Sequence, residues 1–297
     1  GENRVRAFSL DTAKAKAEGQ EGAKPQPAVP ALRARKVEAE ITLDGKLDED
    51  DWKRAPRTRP FVNTVTGAAA EPKVTAKAAW DDDKLYLAFE VADDHLVSKF
   101  DEHDDHLWEQ DAVEVFVDPD GDEKNYFEMQ VSPKGVVFDT RYDERRKPKP
   151  IGHEDWDSKL EAKGEVKGKV GDDEKDEGYT VEMAIPWKSF AAGDKPAQKP
   201  SAGQSWRVNF YVMDTRKGED EQRAVAWSAP REGDFHVPSR FGRLVFFAGS
   251  GQQQPGAAGK PQKAVIPSPA LEQVKKRMQL KVRQDPSVDQ ARPGEEL

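Results

Sequence analysis

Residues 107–131 read LWEQDAVEVFVDPDGDEKNYFEMQV. Val113, Val115 and Val117 alternate with Ala112, Glu114 and Phe116, which is the period of two that a β-strand imposes on its side chains. The acidic turn Asp118-Pro119-Asp120-Gly121-Asp122-Glu123 then leads into a second alternating run, with Phe127, Met129 and Val131 opposed to Tyr126, Glu128 and Gln130. Two such runs around a Pro/Gly turn predict an antiparallel hairpin. With the strands in register, Glu114 points away from the valines and toward the face that carries Glu128 and Gln130. A charged residue inside an otherwise apolar strand marks a solvent face or a cleft.

The same period extends to both sides. KVTAKAAW (73–80) places Val74, Ala76, Ala78 and Trp80 on one face, and LYLAFEVAD (85–93) does so with Leu85, Leu87, Phe89 and Val91. The turn DDDK (81–84) joins them. Further short runs are GVVFDTRY (135–142), GYTVEMAIPW (178–187), WRVNFYVMD (206–214), VAWS (225–228) and GRLVFF (242–247). About ten short strands without a long helix predict an all-β fold, an antiparallel β-sandwich of the immunoglobulin or jelly-roll kind. LDEDDWKRA (47–55) supplies one turn that tucks Trp52 against the sandwich, and WKSF (187–190) another, while LEAKGEVKGKVGDDEKDEGY (160–179) reads as an exposed hairpin. Trp52, Trp80, Trp187, Trp206 and Trp227 fall at strand or turn positions and are assigned to the core, and Trp156 to a loop.

The ends differ in composition. Residues 1–36 are rich in Ala, Lys, Gln, Gly and Pro and read as a disordered tether; residues 250–297 read as linker and tail, with one short basic helix over Ser268–Arg283 that begins at Pro269. Leu271, Val274, Met278 and Val282 form its narrow apolar face. Residues 37–249 are the folded domain. Of the 47 basic and 56 acidic residues, that block holds 31 and 47, so the charge of −9 is concentrated in it. An acidic domain excludes a nucleic-acid binder, which needs a basic surface. No stretch approaches the roughly 20 apolar residues of a membrane-spanning helix. The absence of cysteine rules out disulfides, thiolate metal sites and a cysteine nucleophile.

Read in order, ITLDGKLDEDDW (41–52), WDDDKLYLAFEVAD (80–93), LWEQDAVEVFVDPD (107–120), SPKG (132–135), GYTVEMAIPW, AWSAP (226–230) and FHVPSRFG (235–242) resemble the family 9 carbohydrate-binding modules attached to xylanases. The resemblance covers residues 38–248 and implies a non-catalytic sandwich that holds a sugar at a chain end between two Trp rings. It places the first ring at Trp108 and a carboxylate at Glu114. A hydroxyl-binding Arg of the family falls at Gln130, an amide at Tyr211, the second Trp at Phe235 and an Asn at Glu232. With Glu128 from the shared face, the expected ligand set is Trp108, Glu114, Glu128, Gln130, Tyr211, Glu232 and Phe235. These types suit a pyranose, whose C–H faces stack on rings and whose hydroxyls need donors and acceptors. A plant- or cell-wall-type polysaccharide is the expected ligand, with a partner enzyme or an envelope protein as neighbour. An extracellular, periplasmic or cell-envelope location follows from the resemblance, together with a first residue that is Gly rather than Met.

The competing reading is a protein-interaction or envelope-structural domain that kept the fold without the sugar, which the replacements at Gln130 and Phe235 favour. A haem-binding redox sandwich ranks last, for 4 Met and 5 His show no compelling pairing. Asp118, Asp120 and Asp122 are candidates for a structural Ca²⁺, set against a solvated turn. His103 and His106 lie among Asp101, Asp104 and Asp105 and read as a polar loop; a zinc site there has His95 as its nearest third histidine. No nucleophile elbow, P-loop or dinucleotide glycine fingerprint is present, so no catalytic role is expected.

Overall fold

The apolar alternation becomes strands in the phase it dictates. The computed structural model describes residues 27–216 and 222–248. In chain order its elements are β1 (Ala31–Lys36), α1 (Asp50–Arg54), β2 (Val62–Asn63), β3 (Lys73–Trp80), β4 (Lys84–Ala92), β5 (Ala112–Asp118), β6 (Tyr126–Val131), β7 (Val137–Tyr142), β8 (Glu161–Lys167), β9 (Gly178–Pro186), β10 (Ser205–Thr215), β11 (Gln222–Ala226) and β12 (Gly242–Phe247). Hydrogen-bonded neighbours run β7-β6-β5-β10-β12-β1-β3-β4-β9-β8, and β11 joins β10 to β2. The sheet folds over so that the β5, β6 and β10 residues meet those of β4 and β9. Val113, Val115, Val117, Phe127 and Met129 share one buried cluster with Leu87, Phe89, Val181 and Met183. Phe89 and Phe210 meet edge to face across it at 5.4 Å. Each such side chain contributes about 1.5–3 kcal/mol by leaving water.

The tether expected over residues 1–36 is corrected at its end, because Ala31–Lys36 is strand β1. It pairs parallel with β12 and with β3, and these are the parallel pairings in an otherwise antiparallel sheet. Only Leu32 and Ala34 turn inward, at 3% and 0% exposure, too few apolar residues to signal a strand on their own. The ladder decides it: strand edges of β12 and β3 would otherwise leave buried backbone groups without partners. Residues 1–26 and the expected helix over Ser268–Arg283 lie outside the described residues. The exposed hairpin expected over 160–179 is corrected: Glu161–Lys167 is a partly exposed edge strand, and it pairs with the buried strand Gly178–Pro186, which lies between it and β4 in the sheet. The WKSF turn is realised as a 3₁₀ turn at Trp187–Ser189. Trp52, Trp80, Trp187, Trp206 and Trp227 are buried, whereas Trp156 is half-buried and packs on Phe127 at 5.1 Å.

Both outer faces are covered. Over β3, β4 and β9, Trp52 of α1 packs with Val37, Ile41, Tyr86 and Ala88. Its indole N–H donates to Glu182 Oε1 at 2.7 Å, and Glu182 Oε2 accepts from the backbone of Asp44 and Gly45 at 3.0 and 2.8 Å. Gly45 adopts φ +87°, and a Cβ there would come within 3.0 Å of Gly164, so the Asp44-Gly45 step of the opening motif is a backbone requirement. Over β5, β6 and β10 the cover is the segment from Ala229 to Phe241 and the loop 143–152. Every residue of β5 and β6 is buried as a result, on both faces.

Candidate functional site

The covered polar face begins with one row across four strands. Tyr211 pairs with Glu114, Glu114 with Gln130, and Gln130 with Phe138. Two residues along, Asn209, Phe116, Glu128 and Thr140 form the next row. The register thus brings Glu114, Glu128, Gln130 and Tyr211 onto a single patch, as strand phase predicts for the first three. Aromatic rings stand at both ends of the first row. Phe235 stacks on Tyr211 at 4.3 Å with the planes 9° apart, and Trp108 meets the Phe138 edge at 5.1 Å while His106 covers one of its faces at 4.4 Å.

Between these platforms the polar atoms are incompletely satisfied. Gln130 Nε2 donates to Glu114 Oε1 at 3.0 Å and to Glu128 Oε1 at 2.8 Å. Glu114 Oε2, Glu128 Oε2 and Gln130 Oε1 are buried without a partner, and the three residues are only 4%, 4% and 1% exposed. A buried acceptor left alone costs about 1–3 kcal/mol, so three in one place amount to a standing demand for donors. Burial raises both carboxyls above the ordinary range, and the neighbouring Glu128 raises Glu114 further. Two buried carboxyls that share the Gln130 amide in low dielectric disfavour each other's ionisation.

Side chains that the sequence did not single out complete the wall. Tyr126 stacks on Tyr142 at 5.3 Å, and its hydroxyl lies 2.9 Å from His236 Nδ1. His236 Nε2 is 3.7 Å from Glu128 Oε2. Burial, with Arg146 nearby, lowers the His236 pKa to about 3, so the ring is neutral. At the rim, Arg145 binds Glu232 at 2.7 Å and Asp234 at 3.1 Å, and Arg146 grips Asp234 Oδ1 through Nε and a terminal nitrogen at 2.9 and 2.7 Å. Burial opposes ionisation of Asp234, yet the Arg146 hydrogen bond and charge hold it down to about 2. Glu232 therefore sits at the rim with an arginine partner, while the other six expected residues line or flank the patch. The run RRK (145–147) was the one trace of these arginines in the sequence.

The neighbouring motif residues have structural work. Gln110 Oε1 accepts from the backbone of Lys99 and of Phe100, and Asp111 accepts from Val97 at 2.6 Å and Thr215 at 2.7 Å. The Gln110-Asp111 pair thereby anchors the loop that precedes Trp108. Burial and the nearby Asp93 push Asp111 up to about 8. In the acidic turn, Asp118 accepts from Gly121 at 2.9 Å and Glu123 at 3.0 Å, and the Lys195 ammonium bridges Asp120 and Asp122 at 2.6 and 2.7 Å. Asp118, Asp120 and Asp122 bring ligand atoms within 4.8 Å of one another, and the Lys195 ammonium is the cation paired with two of them.

The family model described as "Carbohydrate family 9 binding domain-like" matches residues 43–248. The chain belongs to that family. Its members are carbohydrate-binding, non-catalytic modules. This family 9 domain is 28% identical over 218 residues to an exoglucanase, XynX, of Acetivibrio thermocellus, covering 73% of the chain and 17% of that protein. It is 27% identical over 205 residues to endo-1,4-beta-xylanase A of Thermoanaerobacterium saccharolyticum, covering 68% of the chain and 15% of that protein. The chain thus spans about one-sixth of the length of these curated relatives. Among solved structures, a family 9 module of Caldicellulosiruptor kristjanssonii in complex with cellotriose superposes with a TM-score of 0.52 at 20% identity, covering 78% of this chain and all of that one. At that identity the likeness establishes the fold, and the sandwich agrees with it.

Proposed function

We propose that this family 9 domain binds a neutral glycan, of the β-linked glucan or xylan kind, on the patch between Trp108 and Phe235. Three unpartnered acceptors buried between two aromatic platforms carry the reading. A sugar presents hydroxyl donors to Glu114 Oε2, Glu128 Oε2 and Gln130 Oε1 and C–H faces to the rings. An anionic glycan would meet two carboxyls and a strongly acidic domain, which disfavours it. The relatives named above include a glucanase and a xylanase, and the solved family 9 module was captured with cellotriose, which supports the same ligand class. By the same analogy the domain works outside the cytoplasm beside a polysaccharide-degrading enzyme or at the cell envelope. Arg146 supplies the guanidinium that the family places on β6, where this chain has Gln130. The acidic turn is read as closed by Lys195 rather than by calcium.

The test is a titration of intrinsic Trp fluorescence and heat with cello-, xylo- and manno-oligosaccharides. Binding near the micromolar range, about −8 kcal/mol, is expected, with a loss of about tenfold or more in Trp108→Ala. No response at millimolar sugar overturns the glycan reading and leaves a protein-interaction domain. Undiminished binding in Trp108→Ala moves the site to another face.

A further inference from the structure

The loop read as merely polar brings His103 to residues far away in the chain. We propose that His103, Asp139 and Asp157 form a binding site for a divalent transition metal at the edge strand β7, with zinc the best-suited ion. One ligand atom from each of the three lies within 4.8 Å of the other two. Asp139 is 1% exposed, and its Oδ1 has no hydrogen-bond partner. Its Oδ2 is oriented by Ser158, whose backbone N–H and hydroxyl donate at 3.2 and 2.7 Å. A fixed, buried carboxylate with an unused oxygen is half of a metal site.

The histidine is prepared in the same way. His103 Nδ1 lies 2.9 Å from Asp104 Oδ2. With Asp104 taking the Nδ1 proton, the Nε2 lone pair is left toward Asp139 Oδ2, 3.8 Å away. That separation is too long for a hydrogen bond. It is close to the roughly 3.3 Å between two ligands of one tetrahedral ion with bonds of about 2.0–2.1 Å. A carboxylate behind a ligating imidazole is the usual outer-shell arrangement. One imidazole with two carboxylates suits zinc and its first-row neighbours, whereas calcium and magnesium prefer oxygen alone. His106 is excluded, because it stacks on Trp108 and faces Glu109 at 3.6 Å. The Lys159 ammonium, paired with Asp157, is the competitor that an ion must displace, and its exposed side chain can swing into water. An ion here ties the loop that carries Trp108 to β7 beside Phe138, independently of whether a sugar binds.

The experiment is calorimetric titration of the untagged full chain, stripped with chelator and returned to chelator-free buffer, with zinc chloride and separately with calcium chloride. One saturable zinc site and no calcium binding at this locus are expected. His103→Ala and Asp157→Asn, both at exposed positions, weaken zinc by about tenfold or more. His106→Ala leaves zinc affinity unchanged, and Lys159→Ala tightens it. Melting curves without metal confirm that each variant is folded. Absence of saturable zinc binding, unchanged affinity in His103→Ala, or an equal loss in His106→Ala overturns the site, and none of these outcomes bears on the glycan titration.

Discussion

Glu128→Gln is expected to stabilise the domain and weaken its ligand at the same time. The side chain keeps its shape, and an amide oxygen can still accept from Gln130 Nε2, which bonds Glu128 Oε1 at 2.8 Å. What disappears is a buried carboxylate whose second oxygen has no partner and which faces Glu114 through Gln130. Burial raises the Glu128 pKa in the fold, so above its ordinary 4.5 the native state binds more protons than the unfolded chain. Stability contributed by protonated Glu128 is then full below about pH 4.5 and declines as pH rises through the raised value. A glutamine has no proton to lose. The variant should therefore match the parent near pH 4.5 and exceed it at pH 8 by about 1–3 kcal/mol, the cost of an unpartnered buried acceptor. For a domain of this size that is a rise of about 2–10 °C in melting midpoint. Sugar affinity should fall about tenfold or more, since a hydrogen bond to a charged group contributes about 1.5–3 kcal/mol. Urea unfolding at both pH values, run beside an oligosaccharide titration, reads both effects. A variant less stable than the parent at pH 8, or one that gains equally at pH 4.5 and pH 8, refutes the strained carboxyl pair.

The whole domain should be less stable at pH 8 than at pH 5, because burial raises Asp93 and Asp118 to about 7 and Asp111 to about 8. His236, lowered to about 3, works the other way below pH 6.5 but is one group against several; a midpoint that climbs from pH 5 to pH 8 contradicts this balance. Trp52→Ala empties the pocket on β4 and β9 and orphans Glu182 Oε1, at a cost of about 3–5 kcal/mol in chemical unfolding; a loss under about 1 kcal/mol would mean α1 is dispensable. A chain that starts at Val37 lacks β1, exposes the edges of β12 and β3, and should aggregate or lose cooperative melting, whereas unchanged melting would show that the β12–β3 gap closes by itself. Calcium or chelator should leave the melting midpoint where it is if Lys195 closes the acidic turn, and a calcium-dependent rise that is lost in Asp120→Asn would place an ion there.

Strand phase and hairpin register are local properties, and they were legible. Val113, Val115 and Val117 could face the core only by sending Glu114 the other way, and a short turn to β6 left Gln130 and Glu128 on the same side. The order of motifs around Trp108 and Phe235 marked the family for a similar reason, since each motif satisfies a nearby backbone need, as Gly45 and Asp111 do. Burial was not legible. Whether Glu114 and Glu128 meet water depends on the segment 229–241 and the loop 143–152, which arrive from distant parts of the chain and bring Asp234, His236, Arg145 and Arg146. Strand β1 exists because a gap between β12 and β3 needs backbone partners, and two inward residues in a polar stretch say nothing of that gap. His103 meets Asp139 and Asp157 only when the sheet edge and two loops converge. Residue alternation therefore determined which side chains share a face, and long-range packing decided which of them lie out of water with unused bonding capacity. Removal from water is what turns a row of ordinary polar residues into a site with a demand for a ligand.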